Sequence, residues 1–179
     1  PTGLDASTTA KGIIEIATDA EAQTGTDTAR AITAANLQAV TATTTRKGVS
    51  EFATTAEYRV GTDTARSLVV DQVWGAGAEV TLTDAATIAV DMSTFINAVV
   101  TLGGNRTLGA PSNTKIGQCG LIRIIQDGTG SRTLAYASNW YFAGGTDPVL
   151  STAAGVNDFL FYQVFRSGDV FANLIKAVG

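Results

Sequence analysis

The string GTDTAR stands at residues 25–30 and again at 61–66, and the identity around it extends to a whole module. Residues 8–37 (TTAKGIIEIATDAEAQTGTDTARAITAANL) and 44–73 (TTRKGVSEFATTAEYRVGTDTARSLVVDQV) match at 15 of 30 positions without a gap, at an offset of 36. No other feature constrains the fold as much. A unit of this size cannot bury a core of its own, so it must stack on a neighbour or assemble around an axis.

Each copy reads as the same series of local signals. Residues 12–16 (GIIEI) are short and β-branched, which favours a strand. Thr18 with Glu21, and Thr54 with Glu57, have the spacing of a capping box. Gly25 and Gly61 then end a short helix as C-cap glycines. Asp27 and Asp63 close the following turn on their own backbone. Arg30 and Arg66 take a nearby carboxylate, for which Glu15 and Glu51 recur in register. The alternative, a cation held by the Thr/Asp turn, has one carboxylate per turn, a thin set of hard oxygen ligands. Residues 31–32 and 67–69 predict a second extended piece, and Thr33 with Asn36 and Leu37 predicts another short helix.

Composition shifts near the WGAG stretch at 74–77. Residues 1–75 hold three of the thirteen aromatic residues, and 76–179 hold the other ten. The expected boundary therefore divides tandem repeats at 1–76 from a second domain at 77–179. The second part reads as strands at 80–82, 87–90, 95–102, 118–126, 132–136, 140–142, 159–165 and 170–177. Turn signals separate them: GGN, DGTG, GGTDP and SG. Short strands at that spacing predict a mainly β fold, a jelly-roll-like β-sandwich.

A two-residue Ser167-Gly168 loop sets Arg166 opposite Asp169. In that register Phe165 faces Val170 and Phe161 faces Leu174 on one side, and Val164 faces Phe171 and Leu160 faces Ile175 on the other. Both faces are apolar, and a sandwich buries only one. The cover for the second is either a long loop or a neighbouring subunit.

Composition excludes several chemistries. The chain has no histidine and one cysteine, Cys119, so it can form neither a Cys/His zinc cluster, nor an internal disulfide, nor a histidine-dependent triad. A net charge of −4 gives no electrostatic reason to bind nucleic acid or an anionic membrane. No run of about 18 apolar residues suggests a spanning helix. The sequence implies no cofactor. It opens Pro1-Thr2-Gly3 without Met, and residues 1–10 read as the middle of a longer protein.

The run SNWYFAGG at 138–145 is the best binding candidate, for a carbohydrate. Aromatic faces stack on sugar rings, and adjacent amide or carboxylate groups bond hydroxyls. Asn139, Trp140, Tyr141 and Asp147 are the candidate contacts, while Trp140 and Phe142 share one face that the core can claim. QDGTGSR at 126–132 lacks the G-K-[ST] of a phosphate loop and reads as a hairpin turn. Arg123, inside an apolar run, needs either a carboxylate, for which Asp127 and Asp158 both qualify, or a place at a subunit boundary. The remaining carboxylates are dispersed over separate turns, with no pair spaced as glycoside hydrolysis requires. No catalytic residue and no metal ligand is assigned, and the chain is read as non-enzymatic.

The units KGIIEIATDAEAQTGTDTARAITAANL and KGVSEFATTAEYRVGTDTARSLVV resemble the short repeats of tailed-bacteriophage tail fibres. Those repeats run strand, AT-x-xE, G-T-D, then R-A-V-T-P-x-x-L. Here Ala34 replaces the proline, and the second copy, ARSLVVDQV, departs further. The segment from 97 to 136, with TLGGNRTLGAP and QDGTGSRTL, resembles C-terminal β-domains of virion fibre proteins. The resemblance implies a homotrimeric structural component on the virion surface, with a shaft or attachment region at 1–76 and a head at 77–179. It also implies contacts with other virion proteins and host attachment through cell-surface sugar, with no nucleic acid and no membrane insertion. A head fibre or decoration protein with a purely structural role is the second reading, and a polysaccharide depolymerase the third.

Overall fold

The computed structural model describes residues 13–42 and 48–178. The repeat leads at 8–12, and all but Gly48 of the lead at 44–48, lie outside the described residues. Two compact units divide the chain. One comprises the described residues up to Phe52 together with Thr64–Ser67, and the other comprises Ala53–Asp63 and Leu68 onward.

The first unit is assembled from local bonds. Thr18 and Glu21 form a complete capping box on helix α1 (Asp19–Thr24), and Gly25 ends it at φ 67°, where a side chain would be strained. Thr33 and Asn36 cap helix α2 (Ala34–Ala39) in the same way. Asn36 Nδ2 donates to Asp19 Oδ1 at 2.8 Å and Gln23 Nε2 to the Ala39 carbonyl at 3.1 Å, tying the two helices together. The extended pieces expected here shrink to single parallel bridges, Ile16 with Ala31 and Phe52 with Ser67. Among this unit's described residues only Ala17, Ala22 and Asn36 are buried. Ile13, Ile16, Ile32 and Leu37 are all more than half exposed.

In the second unit, helix α3 (Thr55–Val60) repeats the capping box through Thr54 and Glu57 and ends on Gly61 at φ 61°. Helix α4 (Val70–Gly77) follows. Arg59 caps its end, donating from Nε to the Ala76 carbonyl and from Nη2 to the Gly75 carbonyl, both at 3.1 Å.

Among the described residues nine strands follow: β1 (Glu79–Thr81), β2 (Thr87–Asp91), β3 (Asn97–Leu102), β4 (Arg106–Ser112), β5 (Cys119–Gln126), β6 (Leu134–Tyr136), β7 (Trp140–Phe142), β8 (Asn157–Arg166) and β9 (Asp169–Val178). They form a six-stranded sheet in the order β1-β3-β5-β8-β9-β7 and a three-stranded sheet in the order β2-β4-β6. The first six strands alternate between the sheets. Each sheet neighbour is therefore reached by crossing to the other sheet and back, and the short connections give parallel pairs: β1 with β3, β3 with β5, β2 with β4 and β4 with β6. Antiparallel pairing is confined to β5 with β8 and β8 with β9.

The domain is therefore mixed α/β with mostly parallel sheets, and the expectation of a mainly β jelly-roll-like sandwich is corrected. The turn signals misled because only Ser167-Gly168 closes a hairpin. The expected hairpin at 126–132 is a corner instead. There Asp127 Oδ1 accepts the Thr129 and Gly130 amides, each at 2.9 Å, and the chain passes from β5 to β6 in the other sheet. Strand β4 escaped the sequence reading because Gly109 and Pro111 break strand patterns. Pro111 sits opposite Val90 just past a register irregularity, where a missing ladder donor is tolerated. The hairpin register also shifts by one. Arg166 faces Asp169 as expected, but the irregularity at Phe165 brings Val164 opposite Val170 and Leu160 opposite Leu174.

One core lies between the sheets, with Ile88, Leu108 and Leu134 from the smaller and Val100, Ile122, Leu160, Val164 and Val170 from the larger. Gly120 in β5 marks its tightest approach. A Cβ there would lie 2.0 Å from the Ile96 carbonyl oxygen and 3.0 Å from the Tyr162 hydroxyl, which itself donates to that carbonyl at 2.6 Å. Gly120→Ala is expected to destabilise this unit by about 2–3 kcal/mol, read as a lower urea midpoint.

Candidate functional site

The aromatic run at 138–145 is split by the sheet. Trp140, 4% exposed, points into the core, and its indole Nε1 donates to the Gly109 carbonyl at 2.9 Å. Phe142 packs against the same core and meets Tyr136 edge-on, with ring centroids 4.7 Å apart. Asn139 is half-buried, and its Nδ2 donates to Asp169 Oδ1 at 3.0 Å. Asp147 is exposed in the loop that follows. Of the four candidate sugar contacts, only Tyr141 presents an aromatic ring to solvent, at 42% exposure. The Trp140 platform is not at the surface.

Tyr141 belongs to a wider apolar band on the outer face of the six-stranded sheet. Its ring meets Phe165 edge-on at 5.4 Å, and Phe171 is its partner in register on β9. Phe161 and Ile175 extend the exposed set. Arg166 lies over the Phe165 ring, with Cζ 5.7 Å from the centroid, and its Nε donates to Asp169 Oδ2 at 2.6 Å. Despite the shift in register, the hairpin is apolar on both faces as the sequence indicates, and one face is open.

In the first repeat turn the Asp27 side chain bonds its own backbone. Asp27 Oδ1 accepts the Ala29 amide at 2.7 Å and the Arg30 amide at 3.1 Å. Arg30 pairs with Asp27, with Glu21 at 3.0 Å and with Glu15 at 3.2 Å. In the second copy Arg66 pairs with Glu51 at 3.0 Å, and Asp63 is also engaged. The backbone amide of Ala29 and the Arg30 guanidinium hold the Asp27 carboxyl below its ordinary range.

Other carboxylates are also committed to arginines. Arg123 is partnered by Glu79, at 2.5 and 2.9 Å, rather than by Asp127 or Asp158. Asp84 takes Arg106 at 2.6 and 2.7 Å. Asp127 takes Arg132 at 2.7 and 3.1 Å, which brings its carboxyl down to about 2. Arg166, then Asn139, hold Asp169 below the ordinary value.

The pH dependence follows from the sign of these shifts. A carboxyl whose folded pKa is depressed contributes stability above its unfolded value of about 3.8. That contribution is lost as pH falls through the folded value. The thermal midpoint is expected to drop between about pH 4 and pH 2. Asp127→Asn should be less stable than wild type at neutral pH, with the difference shrinking below about pH 4 and lost only below about pH 2, as differential scanning calorimetry can check.

Among the described residues no group of three metal-binding side chains stands together, and no helix is long and apolar enough to cross a membrane. A groove of about 430 Å³ is lined by Tyr58, Arg59, Ile96, Lys115, Gln118 and Cys119. Its cations are occupied: Arg59 caps α4, and Lys115 Nζ donates to the Gly61 carbonyl at 3.2 Å. Compared with known proteins, the chain matches no family model and no curated protein.

Proposed function

We propose that the chain is a non-enzymatic structural component of a bacteriophage virion, a homotrimeric tail fibre displayed on the particle surface. In this reading the repeats supply length and attachment to other virion proteins, and the C-terminal domain meets host-surface carbohydrate. The observation that carries it is a module built twice, its leading helix capped alike by Thr and Glu and ended by a left-handed Gly, with the same Arg–Glu pairing and few buried residues among those described. Repetition of a unit that cannot stand alone builds length, as an extended assembly requires. The non-enzymatic reading draws support from the arginine-held carboxylates. A glycosidase acid must be protonated at its working pH, and Asp84, Asp127 and Asp169 are shifted the other way.

Glycan-array binding tests the recognition role. Wild type is expected to bind a host-surface sugar, and Tyr141→Ala to lose that binding without loss of fold. The burial of Trp140 favours the second reading, a head fibre or decoration protein with a purely structural role, and absence of glycan binding by wild type would select it. Release of reducing sugars from polysaccharide would overturn the non-enzymatic assignment.

A further inference from the structure

Nine lysines and arginines lie among the described residues. Six of them, Arg30, Arg66, Arg106, Arg123, Arg132 and Arg166, are held by carboxylates of the same chain. Arg59, Lys115 and Lys176 are the three with no carboxylate partner among the described residues. Two of these three line one groove, the 430 Å³ cleft that Arg59 shares with Lys115. Its lining holds no aspartate or glutamate, in a chain whose net charge is −4. All of its lining residues belong to the second compact unit. Both cations are half-buried and fixed in place. Arg59 donates from Nε and Nη2 to the Ala76 and Gly75 carbonyls, and Lys115 donates from Nζ to the Gly61 carbonyl. These acceptors are neutral, so the bonds orient the side chains without cancelling their charge. Arg59 Nη1 and two of the three Lys115 ammonium protons keep no partner among the described residues. A concave site with two like charges and no counter-charge attracts an anion.

We propose that this groove is a binding site for a small phosphate monoester. A phosphoryl group carries close to two negative charges at neutral pH, which matches the two uncompensated cations. A carboxylate would leave one of them uncompensated. The phosphoryl oxygens accept from Arg59 Nη1 and from the Lys115 ammonium, as charge-assisted hydrogen bonds. Tyr58 and Ile96, half-buried in the same lining, offer apolar surface to the organic part of the ester. The volume also favours an ester over a bare ion, because it falls within the range of small-molecule sites. The assignment rests on the groove alone and not on the fibre reading.

Isothermal titration of the full chain with phenyl phosphate tests this, with phenol and inorganic phosphate as the two partial ligands. Phenyl phosphate is expected to bind more tightly than either part. Lys115→Gln is expected to lower its affinity at least about tenfold, the worth of one hydrogen bond to a charged group. Arg59→Gln should do the same, but it also removes the cap on α4, so Lys115→Gln decides. Lys176→Gln removes the same charge outside the groove and should leave the affinity unchanged. Cys119, the chain's one cysteine, is exposed in the groove lining. Bound phenyl phosphate should therefore slow alkylation of Cys119 by iodoacetamide. The inference is overturned if wild type fails to bind phenyl phosphate at millimolar concentration, or if phenol or inorganic phosphate binds as tightly. It is equally overturned if Lys176→Gln weakens binding as much as Lys115→Gln, or if saturating phenyl phosphate leaves the alkylation rate unchanged.

Discussion

Trp140→Ala is expected to destabilise the C-terminal unit by about 3–5 kcal/mol, measured as a lower urea midpoint in circular dichroism. Trp140 bridges the two sheets. Its backbone lies on β7, beside Val170 of β9, and its indole N–H reaches the Gly109 carbonyl on β4. Truncation removes the largest aromatic body from a core with little free surface, and the loss combines transfer and cavity terms. It also leaves the Gly109 carbonyl without its partner in a buried setting. Trp140→Phe keeps much of the volume and loses the hydrogen bond, so about 1–2 kcal/mol is expected. The same result bears on recognition. Loss of glycan binding in Trp140→Ala would report a damaged fold, whereas Tyr141→Ala probes the surface.

Asp158→Ala should be comparably damaging, at about 3–5 kcal/mol. Asp158 is 1% exposed and accepts three hydrogen bonds: from the Ser151 amide and hydroxyl, each at 2.7 Å, and from the Ala177 amide at 2.8 Å. It therefore joins the long connection before β8 to the end of β9. Alanine removes the acceptor of two backbone N–H groups, the half-buried Ser151 amide and the Ala177 amide. Asp158→Asn retains the shape and one carbonyl acceptor, and should be milder. Hydrogen exchange at Ser151 and Ala177 would locate the effect, with protection lost at both amides in Asp158→Ala and retained in part in Asp158→Asn.

What the sequence revealed about the fold depended on the range of the interactions. The caps at Thr18, Thr54 and Thr33, the left-handed glycines and the Asp27 turn all bond within four residues, and each was readable from spacing. The pairings of Arg30 with Glu15 and Arg66 with Glu51 followed because the repeat shows the same register twice. Arg123 has no such duplicate, and its partner Glu79 lies 44 residues away. The parallel topology was hidden for a different reason. A corner that turns the chain into the opposite sheet uses the same glycines and aspartates as a hairpin, as Asp127 to Gly130 demonstrates. Strand β4, with its proline at an irregular pairing, removed the remaining clue. For the candidate site, alternation along 140–142 showed that one face of the run belongs to the core. It could not show that the buried ring would be Trp140 and the exposed one Tyr141, because that depends on which side of β7 faces the smaller sheet.

Native mass measurement of the intact chain tests the central claim most directly. A trimeric fibre component predicts a folded species of three times the 18.4 kDa chain mass at micromolar concentration. A stable, folded 18.4 kDa monomer under the same conditions would contradict it.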